Sequence, residues 1–580
     1  MRPLPVSIQV LLNSLLFVQL LLTPLTASDD SSPSVMIPRL ANPVKIDGYL
    51  NELAWREAVV IQEFYTYRPV DGQLAEEETA ALLAYDAGSL YLAFICFDPQ
   101  PDRIRSSISK RDDISDDDNV VLYLDTFKSG KETYYFSFNP DGIQGDGIYI
   151  DMIAEDSSPD FIIYSKGRRF KSGYIVEVEI PFKSIRFPSE GEMEWGICLA
   201  RSIKHLDKDL IWPAISRNST TFVPQFATLF GLSGLSAGKN IEILPETTAS
   251  QHGQRKSQTD GTEKFVNDSI NYGFGVNLKF GIFSNLIFDL TYNPDFSQVE
   301  ADADRIDVNR RFPLYYTEKR PFFLEGTNIF HTPINAVYTR RIVDPLAGAK
   351  LSGNLNGLEV GFLGGVDEYY GSTDYLSQIA INPPPADTAF RAEEFIDKYR
   401  GSYSYHTVLR LRKEVWEYSK IGILFTDKQF KDTYSRTYGI DASLLIADEY
   451  SLTFQALNSD TKDFFDQTPR SDPAFNISLY RGSSTLNVQV AYKDIFPDFE
   501  VANGFLERDP DYREGSLQVW YDIRSDNSFF SLIQPTLFTN IMFNHDSISK
   551  KIESYFAPSV ALTLLGQNTL TLAYYRQFEE

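Results

Sequence analysis

The sequence predicts an all-β protein, with an N-terminal immunoglobulin-like or jelly-roll-type β-sandwich followed by an antiparallel transmembrane β-barrel. Three observations predict this fold class. Tyr and Phe are abundant, at 33 and 42 of 580 residues, whereas Cys occurs only twice. Short runs of alternating apolar and polar residues recur along the chain. After the N-terminus there is no run of about 18 apolar residues, so only strands could cross a membrane.

The N-terminus is typical of an exported protein. An apolar stretch follows Arg2, and a small residue, Ala27, precedes the polar run SDDSSPS. We therefore expect a signal peptide over residues 1–27 and a linker over 28–35. No Cys follows Ala27, so a lipid anchor is not indicated. Together with a barrel, this predicts the outer membrane of a Gram-negative-type bacterium, with membrane lipid as a partner.

The charge and the two cysteines limit the partners and the chemistry. A formal net charge of −25 would repel a phosphate backbone, so nucleic acid is not expected as a partner. Cys96 and Cys198 lie in strand-like runs without metal-ligand spacing. They could form a disulfide, or they could be two buried thiols.

Residues 36–234 read as short strands separated by turns, for example GYIVEVEIPF and MEWGICLARS, which predicts the sandwich. The composition then shifts to Lys, Gln, Ser and Thr, and we expect a linker over 235–265.

Residues 266–580 contain recurrent strands of about ten residues, which predicts the barrel. The chain ends in RQFEE directly after a strand, without a closing aromatic residue. We therefore expect the barrel to be incomplete here and the natural chain to continue beyond Glu580. In STLNVQVAYKD the apolar face carries Leu486, Val488, Val490 and Tyr492, and the other face carries Asn487, Gln489, Ala491 and Lys493.

The segment KIDGYLNELAW, Lys45 to Trp55, resembles the opening of family 9 carbohydrate-binding modules. The resemblance continues through YIVEVEIPFKSIRF and covers most of residues 36–234. It implies a sugar site in which aromatic rings stack on pyranose faces and polar groups bind hydroxyls. Ser115 and Val121 stand where sugar-binding members often carry Trp and Glu. The candidate binding residues are Arg111, Asp112, Phe161, Tyr164 and Trp212. We expect Trp55 and Trp195 to pack in the core instead.

The loop RDDISDDDN, Arg111 to Asn119, concentrates carboxylates. Asp116, Asp117 and Asp118 could bind Ca²⁺ through oxygen ligands, although the spacing is not that of an EF-hand. The alternative is a solvated acidic loop paired with Arg111. Apart from this candidate Ca²⁺, no cofactor is expected.

The segment from Asn293 to Phe330 is dense in charges and aromatic residues. It resembles a signature of an uncharacterised outer-membrane barrel family, domain-of-unknown-function family 5916. Opposite charges that neutralise one another suit a segment inside a polar lumen, so we interpret 293–330 as a plug or latch, with either a structural or a gating role. Its candidate residues are Arg305, Arg310, Arg311, Lys319, Arg320 and Glu325.

The sequence contains no HExxH, GxSxG or P-loop motif, and its five histidines are scattered. The preferred hypothesis is an outer-membrane barrel whose sandwich binds a glycan or another envelope ligand, with a role in uptake. One alternative is an enzyme that hydrolyses O-glycosyl bonds in polysaccharide catabolism, an association that the module resemblance implies. The other is a structural envelope protein with a decayed sugar site.

Overall fold

Two sheets packed face to face form the N-terminal part of the protein, and one large antiparallel sheet follows them. The computed structural model describes residues 33–151, 154–157, 159–188, 193–235, 241–257, 263–283, 286–296, 313–324, 326–355, 357–373, 375–376, 392–416, 418–464, 468–525, 529–545, 550–564 and 568–580. The predicted signal peptide, residues 1–27, lies outside these ranges. Within them, no helix is long and apolar enough to cross a membrane.

The strands of the N-terminal part alternate with tight turns. They are β1 Ser34–Met36, β2 Val59–Ile61, β3 Tyr65–Arg68, β4 Gln73–Leu74, β5 Thr79–Tyr85, β6 Ser89–Phe97, β7 Asn119–Asp125, β8 Glu132–Phe138, β9 Gln144–Ile150, β10 Ala154–Asp156, β11 Tyr164–Phe170, β12 Gly173–Pro181, β13 Met193–Ile203, β14 Lys208–Trp212 and β15 Ala227–Leu232.

The first sheet has the order β10-β9-β8-β7-β13-β14-β3-β4, with β15 on β13 and β1 parallel to β15. The second has the order β11-β12-β6-β5-β2. Apolar side chains from both sheets, including Phe94, Val176, Phe136 and Trp195, are fully buried between them. The predicted β-sandwich is therefore confirmed.

Glu177 explains why the opening motif folds as it does. Its buried carboxylate accepts hydrogen bonds from the amides of Asp47 and Gly48, at 2.9 and 2.5 Å, and from the indole Nε1 of Trp55, at 3.0 Å. Gly48 has φ +87°, which a residue without Cβ adopts readily. Trp55 and Trp195 are buried, at 4% and 0% exposed, as the sequence predicts.

The strands of the C-terminal sheet are longer. They are β16 Ile241–Ser250, β17 Gly253–Ser257, β18 Glu263–Asn267, β19 Asn271–Phe283, β20 Leu286–Tyr292, β21 Pro345–Leu355, β22 Leu358–Asp367, β23 Ser404–Trp416, β24 Ser419–Phe430, β25 Thr433–Ala447, β26 Tyr450–Lys462, β27 Arg470–Arg481, β28 Leu486–Ile495, β29 Tyr512–Tyr521, β30 Ile523–Arg524, β31 Phe530–Phe543, β32 Lys551–Leu564, β33 Asn568–Ala573 and β34 Arg576–Glu579.

Strand β16 and strands β19 to β34 pair in sequence order as one antiparallel sheet, and β17 pairs with β18 as a separate hairpin. Among the described residues, no ladder joins β16 to β34. This antiparallel sheet, together with the sandwich, confirms the predicted all-β fold class.

Short helices lie between the strands. The α-helices of the described chain are Ala54–Glu57, Pro321–Leu324 and Ala392–Tyr399, and the 3₁₀ turns are Pro101–Arg103, Phe182–Ser184, Lys204–Leu206, Val223–Gln225, Thr327–Phe330, Thr339–Arg341 and Tyr369–Gly371.

The structure corrects the predicted linker over 235–265. Residues 241–250 form β16, which pairs with β19 along its whole length, and the hairpin of β17 and β18 follows. The polar composition concealed these strands because their side chains are largely exposed. The predicted linker 28–35 likewise ends in β1. Cys96 and Cys198 are buried free thiols rather than a disulfide.

Candidate functional site

The predicted sugar-binding surface is organised around Arg111. Its guanidinium donates to Oδ1 of Asp146 at 2.7 Å and to the carbonyl oxygen of Phe161 at 2.7 Å, and it lies 3.0 Å from Oδ1 of Asp160. Asp146 is fully buried, whereas Asp160 is exposed. Arg111 therefore has one structural partner below the surface and one partner at the surface.

Asp112 lies beside this arginine in the left-handed region, at φ +65°. Its Oδ1 accepts the amide of Asp146 at 2.9 Å, and Asp146 in turn accepts the amide of Phe161 at 2.7 Å. Burial raises the pKa of the Asp112 and Asp146 carboxyls. The sequence argument missed Asp146, because nothing in GIQGDGIYI distinguishes it from a turn residue.

The three candidate aromatic residues have different environments. Phe161 packs edge-on against Tyr134 and Phe136, with ring centroids 5.2 and 5.8 Å apart. Tyr164, three positions further on in β11, is 50% exposed. Trp212 is 8% exposed and packs in the sandwich core. The structure therefore corrects the prediction for Trp212, because a ring in van der Waals contact on both faces cannot stack on a sugar.

The structure also separates the three carboxylates of the predicted Ca²⁺ site. Asp116 is exposed. Asp117 accepts hydrogen bonds from Ser107 and from Asn139 Nδ2, both at 2.9 Å. Asp118 is buried and lies near Asp98 and His205 instead. Successive side chains in extended backbone point to opposite sides. The consecutive aspartates at the beginning of β7 therefore do not converge on one ion.

The C-terminal sheet has an inner face, defined by buried polar side chains such as His406, Arg410, Arg412, Thr426 and Gln455. Its charges are paired. Arg410 binds Asp441 in a bidentate ion pair, and Glu359 accepts from Arg412 Nε at 2.6 Å and from Lys420 Nζ at 2.5 Å. Such pairing offsets the cost of removing these charges from water.

The alternate positions form an outer face with the opposite character. Along β24, Ile421, Ile423 and Phe425 are 41%, 49% and 37% exposed, while Gly422 and Leu424 between them are buried. On β28, Val490 and Tyr492 are exposed and Asn487 is buried, as the alternation predicts, whereas Gln489 of the predicted polar face is exposed as well. Other exposed apolar side chains of the sheet are Tyr438, Ile440, Phe475, Ile477, Phe556, Val560, Leu570 and Leu572.

The described residues from 313 to 342, which we call the inner segment, lie against the inner face. Arg410 Nε donates to the carbonyl of Ile329 at 3.3 Å, and the side chain of Gln455 accepts the amide of Ile334 at 2.6 Å. Phe323, Ile329, Phe330 and Ile334 pack there with inward-facing apolar side chains that include Leu363, Val408, Leu424 and Leu457.

Two of the predicted plug residues lie in this inner segment. Arg320 is 7% exposed; it binds both oxygens of Glu318 and donates to the carbonyls of Thr339 and Ile342. Lys319 precedes it, and its amide donates to Glu318 at 3.0 Å. The remaining candidates, Arg305, Arg310, Arg311 and Glu325, lie outside the described residues.

A cavity of about 560 Å³ opens beside the inner segment. Aromatic rings of Tyr315, Phe505 and Tyr512 line it, together with the charged side chains of Lys493 and Arg508. A space of this size, with apolar walls and a few polar groups, fits a small organic molecule. No pattern in the sequence indicates this cavity, because its walls come from four separate stretches of the chain.

The sandwich contacts one end of the large sheet. Thr220 donates to the carbonyl of Asp448 through its amide, at 2.6 Å, and through its hydroxyl, at 3.0 Å. Ser484 donates to Asn218 Oδ1 at 2.6 Å. Lys131 Nζ lies 2.7 Å from Oε1 of Glu414. All these partners in the sheet lie in or beside the short connections 417–418, 448–449 and 482–485.

A further contact joins the sandwich to the inner segment. Asn328 Nδ2 donates to Oε2 of Glu132, the first residue of β8, at 3.2 Å. Glu132 also lies in the electrostatic field of Glu359, Arg412 and Lys420 on the inner face, and burial raises its pKa. The sandwich, the inner segment and the inner face therefore meet at one place.

Comparison with known proteins gives a family match in the C-terminal part. Residues 255–356 match the model of a domain of unknown function, DUF5916. This confirms the resemblance stated from residues 293–330, which lie within the match. No curated protein matches the chain.

Solved structures resemble both parts. One is a family 9 carbohydrate-binding module from Caldicellulosiruptor kristjanssonii in complex with cellotriose, at 15% identity over 34% of this chain and 93% of that one, with a TM-score of 0.25. Another is a putative carbohydrate-binding protein from Bacteroides uniformis, at 13% identity over 34% and 99%, with a TM-score of 0.29. A third is OccK10 (OpdN) of Pseudomonas aeruginosa, at 10% identity over 79% and 92%, with a TM-score of 0.28. The chain is thus similar to family 9 modules in its N-terminal region and to outer-membrane porins over most of its length.

Proposed function

We infer that this protein is an outer-membrane barrel protein whose sandwich binds a glycan or another envelope ligand and whose barrel takes up solute. The observation that carries this proposal is the polarity of the C-terminal sheet. Its buried face is polar and charged, and its exposed face is apolar. A sheet in water has the opposite arrangement, whereas a membrane barrel presents apolar side chains to lipid.

The contacts of the sandwich indicate its side of the membrane. In bacterial barrels the strand connections are short on the periplasmic side and long on the outer side. The sandwich binds the end with short connections, such as 448–449 and 482–485, while the strand ends Tyr292, Asp367 and Ile495, from which the longer connections start, lie at the other end. We therefore assign the sandwich to the periplasm.

The inner segment is the plug of this arrangement. It packs on the inner face, and Asn328 joins it to the sandwich through Glu132. The cavity near Tyr315 and Arg508 lies toward the long connections, because Phe505 and Tyr512 belong to the connection 496–511 and the start of β29. A solute entering from outside would reach this cavity at the outward side of the plug, because Tyr315 of the inner segment forms part of its wall.

Tyr164 is the best candidate for direct contact with a glycan in the sandwich. Its ring is half exposed, and Arg111 and Asp160 provide a donor and an acceptor near the same chain segment. Exposed aromatic rings with adjacent charged groups suit C–H faces and hydroxyls of sugars.

The membrane assignment is tested by fractionation and by gel migration of the full-length protein with and without heating. Recovery in the outer membrane, with faster migration of the unheated sample, is expected. Recovery in the soluble periplasm would overturn the proposal.

The orientation is tested by labelling introduced cysteines in intact cells with a maleimide that does not cross the outer membrane. The native thiols are buried and provide a low background. Tyr403→Cys, on the long connection 368–403 and 40% exposed, should react, whereas Leu53→Cys, 71% exposed on the sandwich, should react only after the membrane is permeabilised. Reaction of Leu53→Cys in intact cells would place the sandwich outside.

Glycan binding is tested by calorimetry on the full-length protein with cellotriose and with soluble peptidoglycan fragments. Loss of a stacking ring should weaken binding at least about tenfold, or 1.4 kcal/mol. Tyr164→Ala is expected to show this loss, while Leu53→Ala, which truncates an exposed apolar side chain elsewhere on the sandwich, keeps wild-type affinity. No binding of either probe by the wild type would favour the structural alternative for the sandwich.

A further inference from the structure

Three buried side chains meet where the two sheets of the sandwich come together. Asp98 follows β6 of the five-stranded sheet, Asp118 precedes β7 of the other sheet, and His205 lies in the 3₁₀ turn Lys204–Leu206 after β13. One potential ligand atom of each residue lies within 4.8 Å of those of the other two. The fold thus gathers these groups from distant parts of the chain.

Each of the three keeps a polar atom without a hydrogen-bond partner among the described residues. Asp98 Oδ1 accepts the amide of Gln100 at 2.7 Å and Asp118 Oδ1 accepts the amide of Lys204 at 3.0 Å, but the second oxygen of each carboxylate is unpaired. Neither ring nitrogen of His205 makes a hydrogen bond, although Nε2 lies 3.5 Å from Asp98 Oδ1, and this side chain is only 5% exposed. A buried polar atom without a hydrogen-bond partner costs about 1–3 kcal/mol. Several such atoms in one place therefore indicate a bound ligand.

The nearby arginine does not supply that ligand. Arg201 Nη2 lies 4.0 Å from Asp98 Oδ2, which is too long for a hydrogen bond. Its terminal nitrogens donate instead to Thr79 Oγ1, at 2.8 Å, and to the carbonyl of Phe97, at 2.8 Å. Two carboxylates and one guanidinium leave a net negative charge in a water-excluded place, and a divalent cation would offset it.

The donor set indicates the type of ion. His205 Nε2 and Asp98 Oδ1 are 3.5 Å apart, and two ligands held about 2.0–2.1 Å from a tetrahedral Zn²⁺ are about 3.3 Å apart. Ca²⁺ prefers six or more oxygen ligands, whereas imidazole with carboxylates suits Zn²⁺ and similar ions. We propose that Asp98, Asp118 and His205 bind one divalent metal ion of the Zn²⁺ type, which joins the two sheets of the sandwich.

The proposal is independent of glycan binding and of the membrane assignment, and it is tested on the full-length protein purified without a histidine tag. After loading with Zn²⁺ and dialysis, elemental analysis should find one equivalent in the wild type. His205→Ala and Asp118→Asn should weaken Zn²⁺ binding more than about 100-fold, since loss of an outer-shell partner alone costs about 10–100-fold.

Matched controls are His252→Ala and Asp116→Asn, which remove an exposed histidine and an exposed aspartate and should retain the equivalent. Absence of bound Zn²⁺ from the loaded wild type would overturn the proposal. Retention of the ion in His205→Ala would overturn it as well.

A measurement on the wild type alone covers the case in which the variants do not fold. X-ray absorption of the Zn²⁺-loaded protein should show one imidazole and at least two oxygen ligands. A shell of oxygen alone, or of more than one imidazole, would contradict the assignment to these three residues.

Discussion

The stability of an Ile423→Arg variant distinguishes a sheet that faces lipid from a sheet that faces water. Ile423 lies near the middle of β24, on the outer face, and is 49% exposed. It stands directly opposite Ile440 of β25, which is 52% exposed. In a protein surrounded by water, a substitution at such an exposed position changes the free energy of unfolding by about 0.5 kcal/mol or less.

In a bilayer the same substitution carries a different cost. Arginine on the lipid face of a barrel costs about 2–4 kcal/mol at the midplane and about 0–1 kcal/mol near the interfaces. For Ile423→Arg we therefore expect a loss of about 2–4 kcal/mol, which lowers the folding equilibrium constant about 30- to 1000-fold.

The assay is a urea titration of the full-length protein in phospholipid vesicles, followed by gel migration of the unheated samples. Ile440→Arg should reproduce the loss, because the two side chains are neighbours on one face. Ile162→Arg is the control, since Ile162 is 60% exposed on the sandwich. Equal and small effects for Ile423→Arg and Ile162→Arg would refute the membrane assignment of this face.

Three further experiments test the sandwich and its contact with the sheet. Glu177→Ala should destabilise the sandwich by about 3–5 kcal/mol in chemical unfolding, because the amides of the opening turn and the indole of Trp55 lose their buried acceptor. Burial raises the pKa of Asp151 from 3.8 to about 6, so the folded state binds this proton more tightly than the unfolded state. Its stabilising contribution is then full below about pH 4 and falls by about 3 kcal/mol as the pH rises to about 6, a slope that Asp151→Asn should remove. A double-mutant cycle of Lys131→Ala and Glu414→Ala should give a coupling free energy of about 0.5–1.5 kcal/mol in unfolding of the full-length protein.

Each of these expectations has a result that contradicts it. Glu177→Gln keeps an acceptor and should retain more stability than the alanine variant; equal losses would show that the hydrogen bonds contribute little. An unchanged pH slope in Asp151→Asn would assign the slope to other groups. Additive effects of the two substitutions at the contact between Lys131 and Glu414 would mean that this ion pair does not hold the sandwich on the sheet.

The fold was largely predictable because it depends on side-chain period. Alternation in STLNVQVAYKD assigns Asn487 and Val490 to opposite faces, and the structure buries the first and exposes the second. The same reasoning failed for 241–250, where both faces of β16 are exposed and the alternation between apolar and polar residues is weak.

The site was less predictable because it depends on contacts between distant residues. Residue type alone predicts Trp212 as a sugar-binding ring. Only the pairing of β14 with β13 reveals that this side chain lies in the core. The aspartates at 116–118 were grouped by sequence proximity, although Asp118 has its neighbours at positions 98 and 205. Residue type indicates which chemistry is available, but topology decides which groups meet.

The inner segment also constrains the order in which the molecule assembles. It precedes in the chain nearly all the partners it packs against, since the amide of Ile334 binds Gln455 and the amide of Tyr338 binds the carbonyl of Asn503. During synthesis the inner segment precedes Gln455 and Asn503 by more than 100 residues, and contacts over such sequence separations form slowly. We therefore expect the inner segment to pack on the inner face after the strands of the sheet have paired.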